Sequence, residues 1–258
     1  MKQILLVVMV VLCSLTASAQ SRVKNMYADS QSLNVAQLEN TDQTVRLHRY
    51  LFAGYNTLCL PMSLSSQQLS QAARDLRVER FAGIRQQGST LCLYFVDCTG
   101  EGIEAGVPYL IFSPTRQYLR VNNTDAERID SNLKTLRVND GQGNQVAFSS
   151  NWTVLQKDDH YGIPAKQNVE ILESVLIRTT SDMSLLPTRC SFSWEQQAAG
   201  AERLEIMHVS ANEATAIENL TTARSEGVGV VYDLQGRRLT DNNHRGVVIQ
   251  NGKKLFSK

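Results

Sequence analysis

The side chains that could carry chemistry are few and widely spaced in this sequence. The densest polar group is Asp158-Asp159-His160, which is followed directly by Tyr161. Two carboxylates beside an imidazole could contact a cation, although such a run is more typical of a solvated turn. Trp152 stands among serine, asparagine and threonine residues, which indicates an exposed ring on which a sugar could stack. The candidate ligand-binding residues are therefore Trp152, Tyr161, Asp158 and Asp159.

The sequence contains no familiar catalytic, metal or cofactor motif. No His-x-x-x-His, Cys-x-x-Cys, Gly-x-Ser-x-Gly or phosphate-loop pattern occurs in it. We therefore predict no catalytic residue, no metal and no cofactor, although a triad assembled from distant residues stays open. His208 alternates with Leu204 and Ile206, which predicts a packed imidazole on a strand face rather than a general base.

Four cysteines follow the first 19 residues, namely Cys59, Cys92, Cys98 and Cys190. Four cysteines allow two disulfides with three pairings. Cys92 and Cys98 stand at the two ends of one apolar, strand-like run, so that about 20 Å would separate them, far beyond disulfide reach. Any bridge would have to join different strands. The alternative is that all four are small buried residues with unreactive thiols.

Short strands separated by turns must position these residues. Alternation of apolar and polar residues predicts half-buried strands at 45–51, 190–194 and 203–209, and Trp194 shares a strand face with Phe192 and Cys190, which predicts core packing. The apolar run Tyr109–Phe112 predicts a strand covered on both faces. Turn residues occur at 87–89, 139–141 and 161–164.

One segment has helical rather than strand periodicity. Apolar residues recur at helical spacing from Ser65 to Leu76, behind a capping box formed by Ser65 and Gln68. Many short strands with one helix predict an all-β protein: an antiparallel β-sandwich-like domain with one short helix, followed by a small C-terminal β-element.

The first 19 residues, Met1 to Ala19, have the three parts of an export signal. Lys2 supplies a positive start, an apolar run follows, and Ala17-Ser18-Ala19 supplies small residues before a predicted cleavage between Ala19 and Gln20 by signal peptidase. A membrane anchor is the alternative, but the apolar run is well short of the roughly 20 residues that span a bilayer. A lipoprotein signal would place its lipid on Cys13, beside the bulky Leu12.

Charge and hydropathy then restrict the partners. Cleavage removes one cation and no acid, so 26 − 1 = 25 basic residues balance 25 acidic ones. This balance gives no reason to expect nucleic acid as a partner. No later segment is apolar enough to cross a membrane, so we expect no transmembrane segment in the mature chain. The predicted location is extracytoplasmic, either secreted or at the cell surface, with the periplasm as a further alternative.

The chain divides by composition into five parts. These are the signal 1–19, an N-terminal segment 20–44, the sandwich-like domain 45–209, a linker 210–227 rich in small polar residues, and a C-terminal element 228–258. In the last part, two strand-like runs are followed by Asn251-Gly252, which favours a tight hairpin turn back along the preceding strand.

The C-terminal motif resembles the sorting domains of the type IX secretion system, found in secreted and surface proteins of Bacteroidetes bacteria. The residues that carry this resemblance are Tyr232, Asp233, Gly236, Gly246, Asn251, Gly252, Lys253 and Lys254. Val248 stands where such endings usually have an aromatic residue, and the alternative is that 228–258 is only the last β-element of the fold. The motifs Ala53–Pro61 (AGYNTLCLP) and Ile103–Ile111 (IEAGVPYLI) resemble a β-rich module of the same group's surface proteins.

These observations predict a non-enzymatic secreted or cell-surface protein that serves adhesion, assembly or ligand binding. The C-terminal resemblance implies that the type IX system exports it through the outer membrane. A glycan or a surface protein would be its partner. An extracellular carbohydrate-binding module is one alternative, and an extracellular hydrolase with an unmarked site is another.

Overall fold

A computed structural model describes residues 23–29, 32–39, 41–156, 158–164, 176–210 and 212–213, together with four C-terminal strands. The predicted signal and nearly all of the predicted linker lie outside the described residues. In chain order the elements are β1 (Lys24–Tyr27), β2 (Val45–Leu51), β3 (Gly54–Leu58), β4 (Met62–Ser63), α1 (Ser66–Ala72), β5 (Arg77–Gln87), β6 (Thr90–Asp97), β7 (Tyr109–Ser113), β8 (Gln117–Asn122), β9 (Arg128–Ile129), β10 (Leu136–Asn139), β11 (Gln145–Ser150), β12 (Leu155–Gln156), β13 (His160–Gly162), β14 (Ile177–Arg178), β15 (Ser184–Leu185), β16 (Cys190–Gln196), β17 (Arg203–Val209), β18 (Val231–Tyr232), β19 (Arg238–Leu239), β20 (Gly246–Gln250) and β21 (Lys253–Ser257).

The strands form an all-β, sandwich-like fold with one short helix, as the sequence predicts. A central sheet has the order β17-β6-β5-β7-β3, a second five-stranded sheet has the order β10-β11-β16-β13-β14, and a three-stranded sheet has the order β1-β2-β8. Neighbouring strands are antiparallel except for β1–β2 and β17–β6. Strand β1 belongs to the predicted N-terminal segment, and its Met26 packs in the same core as Leu47 of β2.

Apolar side chains cover the central sheet on both faces. Leu91, Leu93 and Phe95 of β6 pack towards the second five-stranded sheet, where Phe148 and Phe192 stack at 4.3 Å between ring centroids. The intervening residues of β6 point to the opposite face and pack in a small separate cluster. This arrangement explains why β6 and β7 are apolar along their length, since each strand is buried on two sides.

The central sheet is curled, so that its first and last strands approach each other. Tyr55 of β3 stacks on His208 of β17 with 4.5 Å between ring centroids, although three strands separate β3 from β17 in the sheet order. A bulge in the long strand β5 between Phe81 and Gly83 accommodates the bend.

The helix begins where the capping box predicts. The Ser65 hydroxyl accepts a hydrogen bond from the Gln68 backbone N–H, and the Gln68 side chain accepts one from the Ser65 backbone N–H. The helix then buries Leu69 in the core beneath the three-stranded sheet. The turn predictions at 87–89 and 139–141 are confirmed by positive φ at Gly88 and Gly141, whereas that at 161–164 is wrong because Gly162 ends strand β13.

The two sequence motifs at 53–61 and 103–111 lie side by side. Strands β3 and β7 are antiparallel partners, with Leu58 opposite Tyr109, and the Gly106 backbone N–H donates to the Leu60 carbonyl at 2.8 Å. Gly106 has φ +73°, and a Cβ there would lie 2.0 Å from the Asn132 carbonyl oxygen. Both motifs therefore have a structural role in joining the central strands.

The four C-terminal strands form a separate sheet in the order β19-β18-β20-β21. Gln250 pairs with Lys253, so two residues connect β20 to β21, and the predicted hairpin is confirmed. Of the sorting-like residues, Asp233, Gly236, Asn251 and Gly252 lie outside the described residues. No helix in the described part of the chain is long and apolar enough to cross a membrane.

Candidate functional site

A pocket of about 330 Å³ opens between β3, the β13–β14 pair and the segment that leads into β16. Most of its wall is apolar and consists of Ile163, Pro164, Ile177, Met183, Leu185 and Leu186. The polar residues of the lining are Arg189, His160, Ser191, Thr57, Thr179 and Ser184. An apolar cavity of this size with a few convergent polar groups is the usual form of a small-molecule site.

Side-chain hydrogen bonds attach the central sheet to the second sheet beside this pocket. The Thr57 hydroxyl of β3 accepts a hydrogen bond from the Cys190 backbone N–H at 2.8 Å and donates to the Cys190 carbonyl at 3.1 Å. The Cys59 backbone N–H donates to the Thr188 carbonyl at 2.9 Å. The segment that carries Arg189 is therefore held from both sides.

Thr188 has an uncommon backbone conformation directly before Arg189. Its φ is +64°, a region that is a genuine outlier for a β-branched residue. Its side chain is fully buried, and the backbone N–H donates to the Asn151 carbonyl at 3.0 Å. Such conformations persist only where the surroundings enforce them, and they concentrate at functional sites. Here the turn at Thr188 directs the Arg189 side chain inward.

The Arg189 guanidinium is largely buried and makes no hydrogen bond within the described residues. Its side chain is only 14% exposed, and its nearest anionic atom, Oδ1 of Asp29, lies 3.7 Å away, beyond hydrogen-bond range. Its Nε atom is buried without a partner, and its Cζ lies 5.7 Å from the centroid of the Phe52 ring. Burial, and then the charge of Arg49, lower the pKa of Arg189 to about 9.

A second guanidinium already occupies the Asp29 carboxylate. Arg49 of β2 is fully buried, and its Nη1 donates to Asp29 Oδ1 at 2.9 Å and, at a short distance, to the Tyr50 carbonyl. The other carboxylate oxygen accepts a hydrogen bond from the Tyr50 backbone N–H at 2.7 Å. Two buried cations thus face one carboxylate, which leaves one positive charge uncompensated beside the pocket.

A serine and a histidine also meet in the pocket. Ser191 Oγ lies 3.4 Å from His160 Nδ1, and both residues line the cavity. This separation is longer than the usual 2.6–3.2 Å between a nucleophile and its base. Ser191 is 1% exposed and belongs to the core strand β16.

The residues predicted from sequence lie near the pocket along the chain but do not line it. Tyr161 is half-buried and packs edge-on against Trp194, because alternation in β13 turns its neighbours His160 and Gly162 towards the pocket instead. Asp158 is exposed, and Asp159 is ion-paired with Arg178 of β14.

The expectation that Trp152 is an exposed ring is wrong. The residue is half-buried, packs against both large cores, and its indole N–H donates to the Ser131 carbonyl at 2.7 Å. The core packing predicted for Trp194 is confirmed.

A further polar cluster joins the two ends of the curled sheet. The Glu79 carboxylate is 3% exposed and accepts a hydrogen bond from Arg77 Nε at 2.9 Å, while His208 Nδ1 lies 2.6 Å from its other oxygen. Arg77 also donates to the Tyr55 hydroxyl. His208 is not a core residue, since its side chain is 34% exposed. Its ring is nevertheless held between Glu79 and Tyr55, which agrees with the prediction of a partnered imidazole.

All four described cysteines are buried and unpaired, which confirms the second of the two predicted alternatives. Burial raises the pKa of Cys98 and of Cys190 to about 12 each, and it raises the pKa of Cys59 well above the ordinary value. Within the described residues, no group of three or more histidine, cysteine or acidic side chains could hold a metal ion.

No protein-family model, no curated protein and no solved structure matches this chain. The lining residues of the pocket are therefore assigned from the structure of this chain alone. Sequence reasoning missed Arg189, although one signal was present: a lone cation stands between the apolar run Leu185-Leu186-Pro187 and the buried Cys190. Arginine and lysine side chains are almost never fully buried unless they have a partner.

Proposed function

We propose that this chain is an exported, non-enzymatic β-sandwich protein that captures a small, largely apolar molecule in the pocket beside Arg189. The observation that carries the proposal is the cavity of about 330 Å³ with its apolar wall, which lies near the lower end of the range for ligand sites. The apolar wall suits a hydrocarbon or aromatic body better than a sugar ring, whose hydroxyls would remain unpaired.

Export is the second part of the proposal and rests on the sequence. The support is the signal-like start from Met1 to Ala19 and the sorting-like end from Val228 to Lys258. A tagged protein should be found outside the cytoplasm and should begin at Gln20 when its terminus is read by mass spectrometry. A chain confined to the cytoplasm with Met1 to Ala19 still attached would contradict this part.

The pocket offers a direct test because Gly162 lies in its wall. A Cβ built at Gly162 meets no atom within 4 Å, and the residue has no positive φ, so a larger side chain there would enter the pocket. Gly162→Leu should therefore fill the cavity with little strain. Gly100→Leu is the matched control, because Gly100 has the same free space on an exposed turn outside the pocket.

The probe is 1-octanol, an uncharged molecule with an apolar body. A ligand at about 100 times its dissociation constant stabilises a folded protein by roughly 2.7 kcal/mol, which differential scanning calorimetry detects as a rise in Tm. The rise should occur in the parent protein and in Gly100→Leu and be lost in Gly162→Leu. An equal rise in Gly162→Leu, or no binding of 1-octanol by the parent, would overturn the pocket assignment.

Ester hydrolysis is a second candidate function, favoured by the contact between Ser191 and His160 at 3.4 Å in the pocket. In that function His160 would accept the Ser191 proton as the hydroxyl attacks an ester carbonyl, and it would return the proton to the alcohol as the ester C–O bond breaks. Water would then hydrolyse the acyl-serine, which releases the acid and restores the hydroxyl. Hydrolysis of p-nitrophenyl octanoate that disappears in Ser191→Ala and persists in Ser193→Ala would support it. Activity that is unchanged in Ser191→Ala would dismiss it.

A further inference from the structure

We propose that the pocket recognises a carboxylate, and that Arg189 is the group that binds it. This inference rests on the proposed ligand-binding function and names the chemical class of the ligand. Its occupant would be a small monocarboxylate with an apolar body, such as a medium-chain or aromatic acid.

The first support is that the Arg189 guanidinium lacks partners. An arginine has five N–H donors, and buried polar groups in folded proteins are hydrogen-bonded with few exceptions. Within the described residues none of these donors has an acceptor, and the Nε atom is fully enclosed. Among the described residues, its neighbours include the Phe52 ring, the Asp29 oxygen at 3.7 Å and the like charge of Arg49. Because Nε is enclosed, an acceptor in the pocket would pair with the terminal Nη1 and Nη2 donors of the guanidinium.

The second support is the local charge. Arg49 and Arg189 supply two positive charges, and Asp29 supplies one negative charge that Arg49 and the Tyr50 backbone already use. One further negative charge, supplied by the ligand, would therefore neutralise the site. A monocarboxylate matches that requirement, whereas a phosphomonoester would bring a second negative charge into a largely apolar cavity.

The third support is geometric. A guanidinium binds a carboxylate through two parallel hydrogen bonds, and stacking on an aromatic ring holds the guanidinium plane in place. The Arg189 Cζ lies 5.7 Å from the centroid of the Phe52 ring, and Thr188, with its positive φ, directly precedes Arg189 in the chain. Leu185 and Leu186 line the same pocket, so the hydrocarbon body of an acid would lie against them.

The test compares octanoate with 1-octanol, which share a chain and differ in the charged group. Isothermal titration on the full chain should show that octanoate binds about tenfold more tightly, since hydrogen bonds to charged groups contribute that order of free energy. Arg189→Gln should abolish the preference, so that the ratio of the two affinities falls from about ten to about one, whatever the change in 1-octanol binding itself. Arg137→Gln is the matched control, because Arg137 is an exposed, ion-paired arginine on β10 outside the pocket.

The outcomes separate this inference from the function on which it rests. If the parent protein binds both probes equally, the carboxylate inference is wrong and the pocket assignment stands. If the parent binds neither probe, both fail. If Arg189→Gln keeps the preference for octanoate, Arg189 is not the recognising group. If Arg189→Gln does not fold, Arg189→Lys replaces it, because lysine keeps the positive charge but lacks the planar guanidinium. An undiminished preference of Arg189→Lys for octanoate over 1-octanol would overturn the assignment of two parallel hydrogen bonds.

Discussion

Replacing Asp29 by asparagine should destabilise the protein far more than an exposed substitution would. Within the part of the chain that the structure describes, Asp29 is the carboxylate that faces both Arg49 and Arg189, at 2.9 Å and 3.7 Å, and its side chain is only 21% exposed. The asparagine side chain can still accept the hydrogen bond from the Tyr50 backbone N–H. The negative charge is lost, however, and two largely buried guanidiniums then face each other.

Removing one partner of a buried ion pair costs about 3–5 kcal/mol, and the partial exposure of Asp29 places the expected loss near the lower end, at about 3 kcal/mol. In a domain of this size each kcal/mol shifts the Tm by about 2–4 °C, so the loss corresponds to about 6–12 °C. Urea denaturation should show a lower midpoint with an unchanged slope. Asp182→Asn, at an exposed position, is the control and should change the free energy of unfolding by less than about 0.5 kcal/mol.

A double-mutant cycle examines the cause of this loss. Arg189→Met removes the second cation and with it the repulsion of Arg49, so we expect it to leave the free energy of unfolding within about 1 kcal/mol of the parent or to raise it. In combination with Asp29→Asn it should recover part of the loss, with a coupling of about 1 kcal/mol or more. If Asp29→Asn costs less than about 1 kcal/mol, or if the two changes are additive, the shared carboxylate does not hold the two arginines together as described.

Three further predictions concern other parts of the molecule. Burial, with the charges of Arg120 and Arg46, lowers the pKa of His48 below 6.5, so the unfolded chain binds a proton at this imidazole more readily than the folded chain does. The free energy of unfolding should therefore fall as the pH drops below 6.5. The urea midpoint of His48→Gln should fall less over the same pH range. Gly106→Ala should destabilise the fold by several kcal/mol, because the new Cβ would lie 2.0 Å from the Asn132 carbonyl oxygen. Gly88 has free space around it and a positive φ, so Gly88→Ala is the control and should show only the smaller cost of that backbone conformation. Calorimetry measures both changes. The four buried thiols should resist iodoacetamide in the native protein and all react in urea, as counted by mass spectrometry, and a native protein that is labelled at once would contradict their burial.

Local patterns in the sequence predicted much of the fold. The capping box at Ser65 and Gln68, the hairpin turn after Gln250 and the alternation that buries Leu204 and Ile206 of β17 all depend on residues close together in the chain. The prediction failed at Gly162, where a glycine and a nearby proline suggested a turn but pairing with β14 made a strand. It failed at Trp152 for a similar reason, because polar neighbours suggested exposure while distant residues of two cores enclosed the ring.

The candidate site was beyond the reach of the sequence because its members come from separate parts of the chain. Asp29 follows β1, Arg49 belongs to β2, Arg189 precedes β16 and His160 lies on β13. None of these residues forms a motif with another, and among them only Arg189 has a local signal, the apolar run that precedes it. Their pairing depends on how the sheets pack, which local propensity does not encode.

The sequence by itself determined the all-β class and the position of strands such as β2, β7 and β17, since the period of apolar residues follows directly from the geometry of a strand. It also contains the predicted export signal from Met1 to Ala19 and the sorting-like residues between 228 and 258. Only the tertiary structure decided that two arginines share one carboxylate beside an apolar pocket. The physical reason is that the cost of burying a charge depends on the neighbours that folding brings within a few ångströms, and those neighbours are distant in the chain.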